Sequence, residues 1–184
     1  MRHLHRLGAL AITLISLFSL PTQAFEEGES FVTLSNLHPD INKRLLYTIN
    51  YQLPSLIPMC AEITIVKKKK KEVVFTWKDA EYTMSFDKHT RKSGVEFDTV
   101  LADYFGAECD GDKVANMSEI DQKGIRKGLP YVGMTRQGIL YAMGRPPRHA
   151  NPDLDAYTYM YWLNRWKRKA VDFDENGIVE EVRL

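Results

Sequence analysis

The chain is short of the residues that build most catalytic and metal sites. Its 184 residues include only two cysteines and five histidines. Two cysteines exclude a multi-disulfide scaffold and a four-cysteine zinc ribbon. His38, His89 and His149 are far apart and lack HExxH or any other recognised zinc-ligand spacing. No GxSxG elbow and no G-x-x-x-x-G-K phosphate loop occurs. Asp172, Asp174, Asn176 and Gly177 imitate the start of a calcium loop. Its twelfth position is Arg183, where a bidentate glutamate is needed. Glu180 and Glu181 fall on opposite faces of a strand and cannot work side by side. The expectation is therefore a non-enzyme without cofactor or metal. Charge imbalance is missing too. With 25 Lys+Arg against 24 Asp+Glu, global charge favours no nucleic-acid partner and no membrane partner.

Long apolar runs are also lacking after the first twenty residues. MRHLHR carries Arg2 and Arg6, Leu7 to Leu20 is uncharged, and Pro21 precedes Thr22-Gln23-Ala24. A positive start, an apolar run and small residues at a cleavage site form the pattern of a secretory signal peptide, expected over 1–24. The alternative is a membrane anchor, but the run falls short of the roughly 20 apolar residues that a bilayer core needs. Export implies the periplasm or the periplasmic face of an outer membrane, with no transmembrane segment after signal removal. In an oxidising compartment Cys60 and Cys109 are read first as a disulfide and second as two separate thiols.

What is present reads as α+β. Residues 25–52 begin polar, and Leu45, Leu46 and Ile49 have helix-like spacing, so this part is expected to be a lead-in segment or short helix. Residues 53–115 form a β-rich module. AEITIV, EVVFTW and YTMSF are strand-like runs separated by KKKKK and KDAE. Lys67 to Lys71 between two strands reads as a solvated hairpin end. Contact with an anionic envelope lipid or polymer is the alternative. Phe97, Val100, Leu101, Tyr104 and Phe105 make one stripe, predicting a helix over 95–105 ended by Gly106.

Residues 116–184 are the most regular. Ser118 can cap a short helix in NMSEIDQKGIRK. In GMTRQGILYAMGRPP (133–147), Thr135 can cap a second helix, with Ile139, Leu140 and Met143 on one face. Gly144 and two prolines stop it, so the stretch is a capped helix and not a phosphate cradle. AYTYMYWL (156–163), a two-residue turn at Asn164-Arg165, WKRKAVDF, an Asn-Gly turn and IVEEVRL then form a three-stranded meander.

GMTRQGILYAMGRPP, YTYMYWLNRW and AVDFDENGIVEEV together resemble the BamE-like domain of the SmpA/OmlA outer-membrane proteins, over about residues 124–184. That resemblance implies two helices packed on a three-stranded antiparallel sheet. It also implies a non-catalytic envelope role, commonly outer-membrane protein assembly through protein contacts. The lipidated cysteine of familiar members is missing here. LPSLIPMCAEITIV resembles the opening strand of a small SH3-like barrel. The β-lactamase inhibitor proteins are similar in fold to the BamE-like domain, so a periplasmic inhibitor of a β-lactamase or lysozyme is a second reading. A third is an anionic envelope-polymer binder using Lys67 to Lys71 and Arg165 to Lys169.

The expected binding surface is a face of the C-terminal sheet. With a two-residue turn, Tyr159 faces Ala170 and Tyr161 faces Arg168. The pleat then puts Tyr157, Tyr159, Tyr161, Leu163 and Trp166 on one side. Thr158, Met160, Trp162, Val171 and Phe173 share the other, assigned to the core. Tyr157, Tyr159, Tyr161, Trp166, Arg165 and Arg168 are the candidate binding residues for an envelope protein, since Tyr, Trp and Arg dominate hot spots. The alternative is that the tyrosine stripe is itself core.

Overall fold

A computed structural model describes residues 24–184; the expected signal segment lies outside the described residues except for Ala24. The architecture is α+β, a six-stranded sheet and a three-stranded sheet each packed with helices. Among the described residues no helix is long and apolar enough to cross a membrane.

The strand-like runs of the first unit form β3 (Glu62–Lys69), β4 (Glu72–Trp77) and β5 (Ala80–Ser85), joined as antiparallel hairpins. Their alternate residues Ile63, Ile65, Val73, Phe75, Tyr82 and Met84 are buried, as period-2 patterning requires. The lysine run ends a hairpin, with Lys70-Lys71 as its turn.

Residues 25–52 are neither a helix nor a lead-in. They supply β1 (Ser30–Thr33), antiparallel to β3, and β2 (Leu45–Tyr47), parallel to β5. Phe25, Phe31, Leu37 and Leu46 enter the first core. The helical spacing of Leu45, Leu46 and Ile49 covers a single turn. The edge of β5 instead takes Leu45–Tyr47 as a short strand, after which the chain turns at Thr48-Ile49.

The helix expected over 95–105 is also shorter. After α1 (Lys88–Lys92) comes α2 (Phe97–Leu101), and then β6 (Phe105–Gly106) pairs with β1. The predicted stripe of Phe97, Val100, Leu101, Tyr104 and Phe105 is buried throughout. The helix ends at Leu101, the chain turns through 102–104, and the edge of β1 takes Phe105 into a strand. Gly106 is not a helix stop; an added Cβ there would lie 2.8 Å from a Leu34 methyl. The sheet order is β2-β5-β4-β3-β1-β6. Cys60 and Cys109 bring their sulfurs to 2.08 Å, bonding distance, and tie the start of β3 to the chain entering α3 (Gly111–Ala115).

In the second unit, α4 (Glu119–Lys127) starts at Ser118, whose hydroxyl accepts from Asp121 N. Stretch 133–147 is the capped helix α5 (Arg136–Met143), with Thr135 Oγ1 accepting from Gly138 N and Gly144 at φ +70. The carboxylate of Asp121, 1% exposed, links the two helices by accepting from Thr135 N and Thr135 Oγ1. Gly138 permits this approach: a Cβ there would lie 2.0 Å from Asp121 Oδ1. The meander follows as β7 (Thr158–Trp162), β8 (Arg168–Phe173) and β9 (Val179–Arg183). Gly177, at φ +74, closes the Asn-Gly turn.

The two units share a polar seam built on helix ends. The last carbonyls of a helix have no partner within it, and residues 36–52 provide donors. Asn36 Nδ2 donates to Ile125 O of α4 and Ala142 O of α5; Asn50 Nδ2 donates to Met143 O and Arg145 O. Gln52 Nε2 also donates to Met143 O. Both ring nitrogens of His38 meet carbonyls, Leu53 O at 3.1 Å and Ala142 O at 3.2 Å. Tyr51 forms a parallel bridge with Trp162, and Gln52 N donates to Trp162 O. Arg148 and Asp103 close the seam with a bidentate ion pair.

Candidate functional site

The expected tyrosine face divides between core and surface. Tyr159 and Tyr161 are 0% exposed. Their hydroxyls donate to Leu154 O and Gly144 O, and burial pushes the Tyr161 phenol well above its usual range. They cannot meet a partner. The error is one of register. Leu163 to Lys167 form a longer loop in which Leu163 N donates to Lys167 O, so Tyr159 pairs with Val171 and Tyr161 with Lys169. A one-residue shift exchanges faces. Val171 and Phe173 do point into the core, as expected, but Tyr159 and Tyr161 accompany them in place of Thr158, Met160 and Trp162.

The other candidates stay accessible. Trp166 is 78% exposed and Tyr157 64%. Asn164 Oδ1 accepts from Trp166 N and Lys167 N, an Asx turn that fixes the loop. The Arg165 guanidinium lies 4.9 Å over the Trp166 ring. Arg168 stacks 5.5 Å from Trp162 on the sheet's outer face. His149 continues that column at 5.2 Å from Trp162, and His89 of α1 lies 5.3 Å from His149. Burial, followed by the His89 charge, holds the His149 imidazole below its ordinary range.

Beside this loop is a groove of about 580 Å³ between the β2 edge and the β7–β8 connection. Leu45, Tyr47, Ile49, Tyr51 and Leu53 supply an apolar and aromatic wall, and Leu163 the opposite one. The Tyr47 and Tyr51 rings meet edge to face at 5.7 Å. Asp40, Lys43, Asp87 and Arg165 set charges around it, and His89 adds an imidazole to the rim. Apolar walls with a few polar groups at the rim suit an extended peptide segment, with Trp166 projecting alongside as an anchor. Sequence reasoning missed Tyr47, Tyr51 and His89. The period-2 alternation of residues 45–53 could have found the tyrosines, since those positions line the groove. Nothing in the sequence brings His89 to them.

Among the described residues no three His, Cys, Asp or Glu side chains gather to hold a metal ion. Both cysteine sulfurs lie at bonding distance from each other. No protein-family model, curated protein or solved structure matches the chain.

Proposed function

We propose that the protein is an exported, non-catalytic binder of an envelope protein, taking a segment of its partner into the groove between β2 and the β7–β8 loop. The observation that carries this reading is Trp166. A large aromatic ring held in solvent beneath Arg165, on a loop braced by Asn164, satisfies no packing need of its own chain. Burying it against a partner is favourable, and Trp with Arg is the pairing enriched where binding energy concentrates. The resemblance of residues 124–184 to the BamE-like domain supports the envelope setting and points to outer-membrane assembly or maintenance. The paired sulfurs of Cys60 and Cys109 are compatible with export.

The test uses the immobilised protein to capture partners from a native envelope extract, with Trp166→Ala and Arg165→Ala compared to the parent. Both side chains are exposed, so each substitution should shift stability by less than about 0.5 kcal/mol. Trp166→Ala should remove the specifically captured protein. Equal capture by Trp166→Ala and the parent would reject the loop as the binding element.

A further inference from the structure

Residues 67–71 are five consecutive lysines, and the fold neutralises only part of that run. Lys68 Nζ lies 2.6 Å from Asp98, and Lys69 Nζ pairs with Glu72. Lys70 and Lys71 sit exposed at the hairpin tip. The chain path then brings further cations to the same end. Phe86 N donates to Lys71 O at 2.9 Å, so residue 86 lies beside the tip and α1 begins two residues later. Thr90 of α1 is buried, while Lys88, Arg91 and Lys92 are exposed. Their i, i+3, i+4 spacing places them on one helix face. None of Lys70, Lys71, Lys88, Arg91 and Lys92 has an ion pair among the described residues. The nearby Asp87 carboxylate is occupied in capping α1 and bonding Thr48.

We propose that this end of the first sheet binds a linear polyanion, a chain of repeated phosphate or sulfate groups. The chain as a whole is nearly neutral, so these five cations form a local field. Clustered like charges repel one another, and a counter-charged polymer relieves that repulsion while releasing its own counterions. A groove of about 750 Å³ at this end takes in Lys68, Lys69 and Lys70, but Glu26, Glu27, Glu96 and Asp98 share its lining and oppose a small anion there; Lys71, Lys88, Arg91 and Lys92 lie outside it. None of the large exposed hydrophobics falls within 67–71 or 88–92, so the surface lacks the apolar insertion that an interfacial membrane helix uses. Unpaired cations that run from Lys70 at the groove's rim, through Lys71, to the exposed face of α1 fit an extended partner of the opposite sign.

The probe is inorganic polyphosphate, titrated against the intact purified protein over a salt series. Affinity should fall linearly on log–log axes, and each cation removed should make the slope shallower by about one. Lys70→Gln/Lys71→Gln and Arg91→Gln/Lys92→Gln should therefore each lower the slope by about two. Arg126→Gln/Lys127→Gln on α4 makes the same formal charge change and should leave it unaltered. An unchanged thermal midpoint shows that each variant folds. Absent or salt-independent binding overturns the proposal, as does equal weakening by the α4 variant. Binding to phosphatidylserine vesicles without binding to polyphosphate would reassign the patch to a bilayer and also overturn it.

Discussion

Tyr159 and Tyr161 each bury a whole ring and keep the hydroxyl bonded, so each satisfies an apolar and a polar requirement of the second core. Truncating such an aromatic removes its transfer energy and leaves a cavity. Tyr161→Ala should therefore lower stability by about 3–5 kcal/mol in denaturant titration. Tyr161→Phe keeps the volume and should lose only about 1 kcal/mol, the net worth of one buried hydrogen bond. A Tyr161→Ala variant as stable as the parent would contradict the buried assignment. The alternation of AYTYMYWL identifies the strand but not which of its faces is buried. Tyr, Trp and Met on both faces leave hydropathy nearly symmetrical, so the choice depends on loop length. A two-residue turn at Asn164-Arg165 and the observed connection through 163–167 differ by one register step. Gly138 was similarly unreadable. Its need for a bare Cα comes from Asp121, seventeen residues away, pressing against it.

At the scale of elements, helix signals carried well because caps are local. Ser118, Thr135 and Gly144 act within a few residues of themselves, and α4 and α5 lie where those residues predict. Short strands carried poorly. β2 and β6 exist because a neighbouring strand offers an edge, which no local window contains. The seam that caps α4 and α5 also gives a pH dependence. Burial holds the His38 imidazole below its ordinary value, outweighing the two carbonyls that favour its charge. A histidine with a depressed folded pKa contributes stability that is complete above its unfolded value of about 6.5. That contribution declines as pH falls from there towards the folded value, because the unfolded chain takes the proton first. The histidine contribution should thus be flat above pH 7 and drop on acidification below about 6.5. His149, depressed for similar reasons, adds to the same trend. His38→Gln retains a donor and should flatten the acid limb; an identical limb in parent and variant would exclude His38 as its source.

For the molecule as a whole, the α+β class was legible from two periodicities in one chain, and the pairing of Cys60 with Cys109 from there being no other cysteine to choose. That pair spans 49 residues. On the chain-entropy account, closing such a loop stabilises the fold by about 4 kcal/mol. Cys60→Ser/Cys109→Ser should lose about that amount in urea titration. Reductant should lower the parent to the same midpoint and leave the double variant unchanged. The meeting of the two units was not legible, because the side chains that cap α4 and α5 lie 89 to 106 positions from the carbonyls they bond, and Arg148 lies 45 from Asp103. Those contacts have an evolutionary consequence. A module can be shuffled between proteins when its own residues satisfy its own backbone. Here the carbonyls that finish α4 and α5 are answered by Asn36, His38, Asn50 and Gln52, and the open edge of β7 is covered by Tyr51 and Gln52. The second unit is therefore not portable. A gene fusion that carried residues 116–184 alone to a new host protein would export a sheet edge and two helix ends without their partners, and selection would keep the halves together as one heritable piece.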